Sequence, residues 1–349
     1  MDTGDSTDEY FKSYEDLEVH RLMLEDKPRT LAYKNAIFAC SDKFQNKIVM
    51  DVGAGTGILS VFCAKAGAAK VYAIEASHMA QVAKEVVREN GFESIVEVIH
   101  SKVEDLKSDD IGKVDIIVSE WMGFHLMHEG MLDSVLVARD QFLKENGLMF
   151  PNEAKLYASP CELPTVYDFW NDVYGVSMEF VSREQRRLKS KKPNISSLEA
   201  NNLLTDGKLL VWLDLSTATM PELLCLGGES TVVPCNRNGI YQGVCVWFSV
   251  TFLDGSELST SPEYESTHWK QSIVVLPHDI PVTKDEPVAF KLELRKDSLK
   301  PRIYNVEYTQ LDPENVEHDI PCHCHMTKCL VIKAYLSEHP EEDIQGRET

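Results

Sequence analysis

The sequence is short of positive charge, and it contains no long apolar run. Among its 349 residues, 35 are lysine or arginine and 56 are aspartate or glutamate, which gives a formal net charge of −21. Such a surface repels nucleic acid and anionic membranes and attracts cationic partners. No stretch approaches the roughly 20 apolar residues of a membrane span. We therefore predict a protein that binds no nucleic acid directly and enters no membrane.

Signals for secretion and for a disulfide framework are missing as well. Residues 1–20 are acidic and lack the apolar core of a signal peptide. The nine cysteines are an odd number and are scattered through a long chain, which indicates reduced thiols. These features predict a cytoplasmic protein, a nuclear protein, or one found in both compartments. The hydrophobic fraction of 43% is typical of a folded chain, and the length is sufficient for two domains.

One group of metal-ligand side chains lies near the C-terminus, in the segment CHCHMTKC. It lacks the pairs of ligands separated by a longer loop that typify zinc sites. As a strand, the segment would place Cys322 and Cys324 on one face and His323 and His325 on the other. We predict a terminal strand or tail, continuing through Cys329, and no metal site.

Strand-like and helix-like segments alternate between residues 45 and 151. The segments KIVMDV, KVYAIEA, IVEVIHS and VDIIVSE are short apolar strands, and LMFP is a candidate fifth strand. ILSVFCAKAG and HMAQVAKEVVREN have helical spacing, and MLDSVLVARDQFLKEN is predicted as a helix that ends at Gly147. Strands that alternate with helices form a parallel sheet with helices on its faces.

The pattern changes after Pro151. Strand-like runs such as KLLVWLDL, GVCVWFSVTFL and SIVVLP are separated by turn residues, which predicts an antiparallel sheet or barrel. Residues 165–190 interrupt these strands with aromatic side chains and a basic end. This segment is either an arm that buries Phe169, Trp170 and Tyr174 on another surface or an inserted helix that packs on its own domain.

A glycine-rich turn follows the first predicted strand directly, in VMDVGAGTG. Its glycines, Gly53, Gly55 and Gly57, permit a ligand to approach the backbone closely, and Asp51 ends the strand before them. Glu75 lies at the carboxyl end of the second strand, where an acid can accept hydrogen bonds from both hydroxyls of a ribose. The turn and Glu75 together predict a nucleoside site.

A third acid, Glu104, follows the third strand in SKVEDL, where it could hold an adenine amino group. Three acids in one cofactor site disfavour an anionic pyrophosphate such as that of NAD, and they favour a cationic sulfonium nucleoside. The sequence therefore indicates S-adenosylmethionine as the cofactor.

Two further acids, Glu120 and Glu129, are nine residues apart in SEWMGFHLMHEG. In one continuous helix at 100° per residue, their side chains would lie on opposite faces. They can act together only if the segment bends, and Gly123 and Gly130 would permit a bend.

Four blocks in this order resemble the protein arginine N-methyltransferases, specifically the type I branch, which forms asymmetric dimethylarginine. The blocks are YFKSY, DVGAGTGILS, SEWMGFHLMHEGML and THWKQ, and the resemblance covers nearly the whole chain. It implies an α/β Rossmann-like methyltransferase domain followed by an antiparallel β-barrel domain with an inserted helical dimerisation arm. The domains implied are a helical lid (1–44), a cofactor domain (45–151) and a barrel domain (152–349), with the arm at about 165–190.

The resemblance also implies the catalytic residues. Glu120 and Glu129 would hold the substrate guanidinium, whose planar shape, permanent charge and five donors suit capture by two carboxylates. His268 in THW would pair with Asp26, either as a general base or as an orienting hydrogen bond. The substrates implied are Arg- and Gly-rich proteins or histone tails, and the assembly implied is a homodimer through FWNDVYG.

The remaining implied roles concern the cofactor and the product. The lid would supply His20 and Arg29 to the cofactor, with Arg29 on the cofactor carboxylate. Met23 and Met131 match pocket methionines that leave room for a second methyl group on one nitrogen. The implied cofactor contacts are His20, Arg29, Asp51, Gly53, Gly55, Glu75 and Glu104, and Tyr14 would support the glutamate loop.

Two positions depart from the family pattern. Phe124 replaces a tyrosine, so a hydroxyl is missing beside Glu120, and Gly130 replaces a serine, which loosens the turn after Glu129. These changes leave open a second hypothesis, an inactive or weakly active paralogue that binds cofactor and a partner. A third, a small-molecule methyltransferase on the same fold, is disfavoured by the barrel, by THW and by the acidic cleft.

Overall fold

Three ranges of the chain, residues 15–107, 111–316 and 326–339, are described by a computed structural model. The N-terminal range begins with three helices. Asp26 joins the first two, because its N–H donates to Leu22 O and its side chain accepts from the Arg29 N–H. The first helix therefore ends where the second begins. The helices are α1 (Leu17–Glu25), α2 (Lys27–Ala39) and α3 (Ser41–Phe44).

A five-stranded parallel sheet follows, with strand order β3-β2-β1-β4-β5. The buried, β-branched strands β1 and β4 lie at its centre, as expected for a sheet covered on both faces. The sheet and its helices have the Rossmann-like arrangement that the sequence predicts. The strands are β1 (Ile48–Val52), β2 (Lys70–Glu75), β3 (Val96–His100), β4 (Val114–Val118) and β5 (Leu143–Phe150), and the helices are α4 (Ile58–Lys65), α5 (Met79–Glu89) and α6 (Met131–Phe142).

The boundary between α6 and β5 differs from the prediction. The helix ends at Phe142 rather than at Gly147, and the strand begins at Leu143, which pairs with Val114. Leu143 has extended backbone angles, and Asn146 has a φ of 59°, so the Asn-Gly pair makes an irregularity within the strand instead of ending a helix. The Asn-Gly pair predicts a helix end in the sequence, but it lies inside a strand.

The remaining strands form two antiparallel sheets. The larger has the order β7-β12-β10-β6-β8, with β11 paired to β10, and the smaller has the order β14-β13-β9. The predicted antiparallel domain is present, with its strands hydrogen-bonded as these two sheets. The strands are β6 (Glu153–Cys161), β7 (Asn194–Ser196), β8 (Lys208–Asp214), β9 (Cys225–Pro234), β10 (Gly239–Thr251), β11 (Glu257–Ser259), β12 (Gln271–Val282), β13 (Pro287–Lys296) and β14 (Tyr304–Leu311).

An insertion between β6 and β7 contains two helices, α7 (Pro164–Tyr167) and α8 (Glu179–Lys189). Trp170 Nε1 donates to Gln185 Oε1 at 2.7 Å, which holds the insertion together. Several of its large apolar side chains are exposed, namely Phe169 (61%), Tyr174 (103%) and Phe180 (67%). We call this insertion, residues 164–192, the arm.

One hydrophobic core extends from the helices at the N-terminus through both kinds of sheet. Its aromatic centre brings together Tyr33 of α2, Phe150 of β5 and Phe252, with ring centroids 4.9 Å apart for Tyr33 and Phe252 and 5.0 Å for Phe150 and Phe252. Because these rings interlock, the N-terminal helices and the two sheet regions are held in one fixed arrangement.

The described C-terminal residues form helix α9 (Thr327–Glu338). Cys329, for which a terminal strand or tail is predicted, lies in this helix instead. Its side chain is buried with Met326 beside Val232 of β9, and this packing favours the helix. Cys322, His323, Cys324 and His325, for which a strand or tail is predicted, lie outside the described residues. None of the described helices has the length and apolar character needed to cross a membrane.

Candidate active site

A cavity of about 290 Å³ lies at the carboxyl ends of the central parallel strands, beneath α1 and the start of α2. Ligands of open parallel sheets bind at this edge. The cavity wall combines the glycine-rich turn, the glutamate loop (residues 119–130) and residues from the antiparallel domain. The predicted site residues in its wall are His20, Met23, Arg29, Gly53, Gly55, Glu75, Glu104, Glu120, Glu129, Met131 and His268.

The glycine-rich turn has the conformation that its sequence predicts. Gly53, Gly55 and Gly57 all have φ between 53° and 80°. Gly55 N–H donates to Glu75 Oε2 at 2.8 Å, so the turn and the acid at the end of β2 hold each other in place. The other oxygen of Glu75 accepts from the N–H and the hydroxyl of Ser77. Glu75 is thus fixed with its carboxylate at the cavity wall.

Asp51 is placed differently from the other predicted cofactor residues. It is fully buried behind the turn, accepts from Ser60 Oγ at 2.6 Å, and is not part of the cavity wall. Burial raises the pKa of Asp51, the hydrogen bonds of Ser60 lower it, and the charge of Glu75 raises it, so that the pKa is about 7. The geometry places Asp51 as a support for the turn and not beside the cavity.

Glu104 and His20 both line the cavity. Glu104 Oε1 accepts from Ser134 Oγ of α6 at 2.5 Å. His20 is buried on α1, and its ring lies beside Gly55, where an added Cβ would be 3.3 Å from His20 Cε1. The N-terminal helix therefore packs against the glycine-rich turn.

The segment between Glu120 and Glu129 is bent, as its glycines predict. Gly123 and Leu126 exchange two backbone hydrogen bonds of 3.0 Å. An added Cβ at Gly123 would lie 1.9 Å from His128 O, so the bend requires glycine there. Gly130 has a φ of 61° and begins helix α6. The bend returns both glutamates to the same cavity.

The two histidines between the glutamates do not neutralise them. Burial lowers the pKa of His125 to about 3, and burial also lowers the pKa of His128. Both imidazoles are therefore neutral at physiological pH, and the loop keeps a net negative charge.

Arg29 is bound to Glu120. Its Nη2 and Nε lie 2.6 Å and 2.8 Å from Glu120 Oε2, and its Nη1 donates to Met23 O at 3.0 Å. Both side chains are about nine-tenths buried. The other oxygen, Glu120 Oε1, is buried and has no hydrogen-bond partner among the described residues.

The main chain of Glu129 is held by hydrogen bonds to Arg302. Its N–H donates to Arg302 O at 2.7 Å, and Arg302 Nη1 donates to Glu129 O at 3.0 Å. Arg302 belongs to the turn between β13 and β14, and it also lines the cavity.

His268 and Asp26 are in contact although 242 positions separate them in the chain. His268 Nδ1 lies 2.6 Å from Asp26 Oδ2, and the same oxygen accepts from the His268 N–H at 2.8 Å. Burial raises the pKa of Asp26, but the hydrogen bonds from His268 and Arg29 outweigh it and hold the pKa below its usual value. The carboxylate accepts at Nδ1 and so fixes the orientation of the His268 ring, and His268 lines the cavity.

Comparison with known proteins agrees with this arrangement. Residues 49–147 match a family described as a methyltransferase domain, and residues 152–310 match the arginine methyltransferase oligomerization subdomain. Protein arginine N-methyltransferase 6 of Danio rerio is 41% identical over 82% of this chain and 84% of its own length. The chain belongs to the protein arginine N-methyltransferase family. This family membership confirms the prediction of methyl transfer from S-adenosylmethionine to protein arginine.

Further relatives and solved structures of the arginine methyltransferases extend over most of the chain. Probable protein arginine N-methyltransferase 1.2 of Arabidopsis thaliana is 37% identical over 86% of this chain and 82% of its own length. A crystal structure described as PRMT6-SAH has a TM-score of 0.75 and 30% identity, and it covers 85% of this chain and 100% of its own. The Trypanosoma brucei PRMT1 enzyme-prozyme heterotetrameric complex with AdoHcy has a TM-score of 0.76 and 30% identity, over 88% and 98% of the two chains.

Some residues of this arginine methyltransferase site were missed in the sequence. Ser134 could have been found, because it lies one helical turn after Met131 and shares its face. Trp269, whose Nε1 donates to Met122 O at 3.0 Å, is adjacent to His268. For Arg302, which lies far from every quoted block, the sequence offers no signal.

One predicted site residue lies outside the described residues. Tyr14, which would support the glutamate loop, is not among them. Within the described ranges, no cluster of three or more His, Cys, Asp or Glu side chains could hold a metal ion.

Proposed function

We propose that this chain methylates the guanidino nitrogens of arginine in proteins and forms monomethylarginine and asymmetric dimethylarginine. The observation that carries the proposal is the Glu120 carboxylate: the residue lines the cavity, and its Oε1 is buried and lacks a hydrogen-bond partner in the described part of the chain. Leaving such an acceptor unfilled is costly. A planar guanidinium with five donors would satisfy it.

The cavity also suits the cofactor. Gly53, Gly55 and Glu75 would hold the nucleoside, Glu104 the adenine, and His20 and Arg29 the amino-acid end. Acidic walls favour a sulfonium cation over an anionic pyrophosphate. When bound, S-adenosylmethionine supplies a methyl group activated by the sulfonium charge.

Glu120 and Glu129 would hold the guanidinium cation and fix its orientation. Its free pKa of about 12.5–13.8 means that no side chain can simply deprotonate it near neutral pH. Two carboxylates can draw positive charge to one side and leave one terminal nitrogen more nucleophilic. Much of the rate would come from this positioning in a site closed by α1.

His268 would take the proton that the methylated nitrogen loses. Its Nδ1–H would donate to Asp26, which would leave Nε2 as the acceptor. Proton transfer to Nε2 makes an imidazolium, and the adjacent Asp26 carboxylate stabilises that charge.

The methionines bear on the product. Met131 lies against the glycine-rich turn, where an added Cβ at Gly53 would be 2.2 Å from Met131 Cε, and Met23 also lines the cavity. Both are unbranched and can shift to accommodate a second methyl group on one nitrogen. This supports the asymmetric product, which mass spectrometry of the methylated peptide would identify.

Substrates and assembly follow from charge and exposure. A net charge of −21 suits basic, flexible segments, which Arg- and Gly-rich proteins and histone tails share. We also propose a homodimer through the arm, supported by its exposed Phe169, Tyr174 and Phe180 and by the oligomerization subdomain that the chain matches.

The central test uses purified protein, labelled S-adenosylmethionine and a Gly-Arg-rich peptide. The wild type should label the peptide, and Glu129→Gln should lower turnover at least about a hundredfold, since one half of the guanidinium contact is lost. Binding of S-adenosylhomocysteine should survive. Glu89→Gln, at an exposed position at the end of α5, is the matched control and should be fully active.

Two results would contradict the proposal. If Glu129→Gln retained most of its rate, the two glutamates would not be the guanidinium site. If the wild type bound cofactor but labelled no arginine substrate, the hypothesis of an inactive paralogue would replace the proposed activity. Phe124→Tyr would then be the first change to test for recovered activity.

A further inference from the structure

Each glutamate of the loop is held by an arginine, but the two are held differently. Arg29 binds the side chain of Glu120, whereas Arg302 binds the main chain of Glu129 from both sides, as donor and as acceptor. Arg302 reaches the loop from the antiparallel domain. The inference drawn here rests on the proposed function of Glu129.

Glu129 needs to be held, because its backbone is unfavourable. Its φ is 81°, in the left-handed region, which costs a residue with a Cβ roughly 1–2 kcal/mol. Such a conformation persists only where neighbouring groups fix it. The hydrogen bonds to Arg302 lie on the N–H and C=O of this same residue, so they fix the two peptide groups that set the direction of its side chain.

The turn that carries Arg302 is itself firmly built. Asp297 Oδ1 accepts from the N–H groups of Leu299 and Lys300 at 2.8 Å and 2.9 Å, and Asp297 N–H donates to Ile303 O at 2.9 Å. These backbone hydrogen bonds lower the pKa of Asp297, so it is an ionised acceptor at neutral pH. The turn therefore presents Arg302 O in a defined position.

Gly130 lets the turn approach the loop. An added Cβ at Gly130 would lie 3.0 Å from Pro301 O and 3.2 Å from Arg302 Cα. The sequence suggested that glycine at this position loosens the turn after Glu129. In the structure the space left by the missing side chain is filled by the backbone of Pro301 and Arg302, which tightens the same turn.

We propose that Arg302, presented by the turn at residues 297–303, is a positioning residue that fixes Glu129 in the orientation needed to hold the substrate guanidinium. It acts through Glu129. The antiparallel domain thereby contributes directly to the geometry of a loop that belongs to the parallel-sheet domain.

The test compares four variants with the wild type. Arg302→Ala removes the hydrogen bond to Glu129 O, Arg302→Lys retains one donor, and Asp297→Ala loosens the turn at a partly exposed position. Arg295→Ala is the matched control, since Arg295 is a half-exposed arginine of β13 that binds Glu293 and does not line the cavity. For each protein, kcat and KM are measured with the Gly-Arg-rich peptide, and Kd with S-adenosylhomocysteine.

Arg302→Ala should lower kcat about 10–100-fold, because a small displacement of a reacting contact has effects of this size. Arg302→Lys should recover part of the rate, Asp297→Ala should lower kcat less than Arg302→Ala, and Arg295→Ala should match the wild type. The Kd for S-adenosylhomocysteine should change less than twofold throughout. A purely structural defect would instead weaken cofactor binding along with kcat.

Amide hydrogen exchange at Glu129 provides a readout that needs no turnover. Its N–H should exchange faster in Arg302→Ala and in Asp297→Ala, and at the wild-type rate in Arg295→Ala. Unchanged exchange, or a kcat for Arg302→Ala within twofold of the wild type, would overturn the proposal. If Arg302→Ala did not fold, Asp297→Ala and Arg302→Lys would decide by the same criteria. If the wild type had no activity on arginine, only the proposed function would fail. The amide exchange rates would still show whether Arg302 positions Glu129.

Discussion

Arg29 and Glu120 form a buried ion pair in which one carboxylate oxygen receives two hydrogen bonds from the guanidinium, at 2.6 Å and 2.8 Å. The sequence assigns Arg29 to the cofactor and Glu120 to the substrate, so the structure joins the two ligand subsites directly. The Arg29 guanidinium lies against the Glu120 carboxylate in the way that we propose for the substrate guanidinium. The pair therefore fixes the orientation of the Glu120 carboxylate in the buried wall of the cavity.

Breaking this pair should be costly. We expect Arg29→Ala to lower the free energy of unfolding by about 3–5 kcal/mol, because it leaves Glu120 buried without its cation. Urea denaturation measures this change, and the double variant with Glu120→Gln should regain part of it. Arg21→Ala is the control, since Arg21 pairs with Glu25 at the surface and should lose less than about 1 kcal/mol. Equal losses for Arg29→Ala and Arg21→Ala would contradict the role of the buried pair.

The contact between Asp26 and His268 predicts a dependence of stability on pH. The pKa of Asp26 is lower in the folded protein than in the unfolded chain, so its carboxylate stabilises the fold above the unfolded pKa of about 3.9. This contribution is lost as the pH falls through the folded pKa.

We therefore expect Asp26→Asn to be less stable than the wild type at pH 7, with a difference that shrinks below about pH 4. Urea denaturation at pH 7, 5 and 3 measures it. Asp42→Asn, at an exposed position in α3, serves as the control and should change stability little at any of these pH values. A deficit in Asp26→Asn that stayed the same from pH 7 to pH 3 would argue against this linkage.

Asp51 predicts the opposite dependence. Its pKa in the folded protein is raised, mainly by burial, to about 7, so the protonated side chain stabilises the fold. This contribution to stability is fully present below the unfolded pKa of about 3.9. That contribution falls by about 1.4 kcal/mol per pH unit between the two pKa values and is gone above the folded one. Asp51→Asn keeps the shape and a partner for Ser60 without the charge. Its free energy of unfolding relative to the wild type should rise between pH 5 and pH 8 in thermal or urea denaturation, and a constant difference would rule out a raised pKa.

The arm predicts the state of assembly. Light scattering of the wild type should give twice the chain mass of 39.4 kDa. Replacing Tyr174 and Phe180 together by serine should give the monomer mass, because both rings are exposed in the single chain and would lose their apolar contact with a second copy. Leu299→Ser, at an equally exposed leucine outside the arm, should leave the dimer intact. A wild type with the monomer mass at working concentration would exclude this dimer.

The parallel sheet was readable from the sequence because its signals are local. Each buried strand is a short apolar run, and the glycines that end the helices lie next to them, so their order predicted the sheet. The boundary at Phe142 was missed for a local reason too, since an Asn-Gly pair favours a helix end and a strand irregularity alike. The pairing of the antiparallel strands depends on contacts between distant residues, which no local pattern contains.

The site divides in the same way. Gly53, Glu75 and the bend between Glu120 and Glu129 follow from spacing and residue type. The sequence placed Asp51 with the cofactor, but the fold turns its side chain inward to Ser60, away from the cavity. The direction of one side chain at a strand end is decided by packing around it.

The sequence by itself determined which charges this protein carries and where its turns can bend, because charge and backbone freedom belong to individual residues. Only the tertiary structure decided which charges meet. The contacts of Arg29 with Glu120 and of Arg302 with Glu129 join residues 91 and 173 positions apart. They exist because the shared core fixes three separate parts of the chain around one cavity, where burial makes each contact strong.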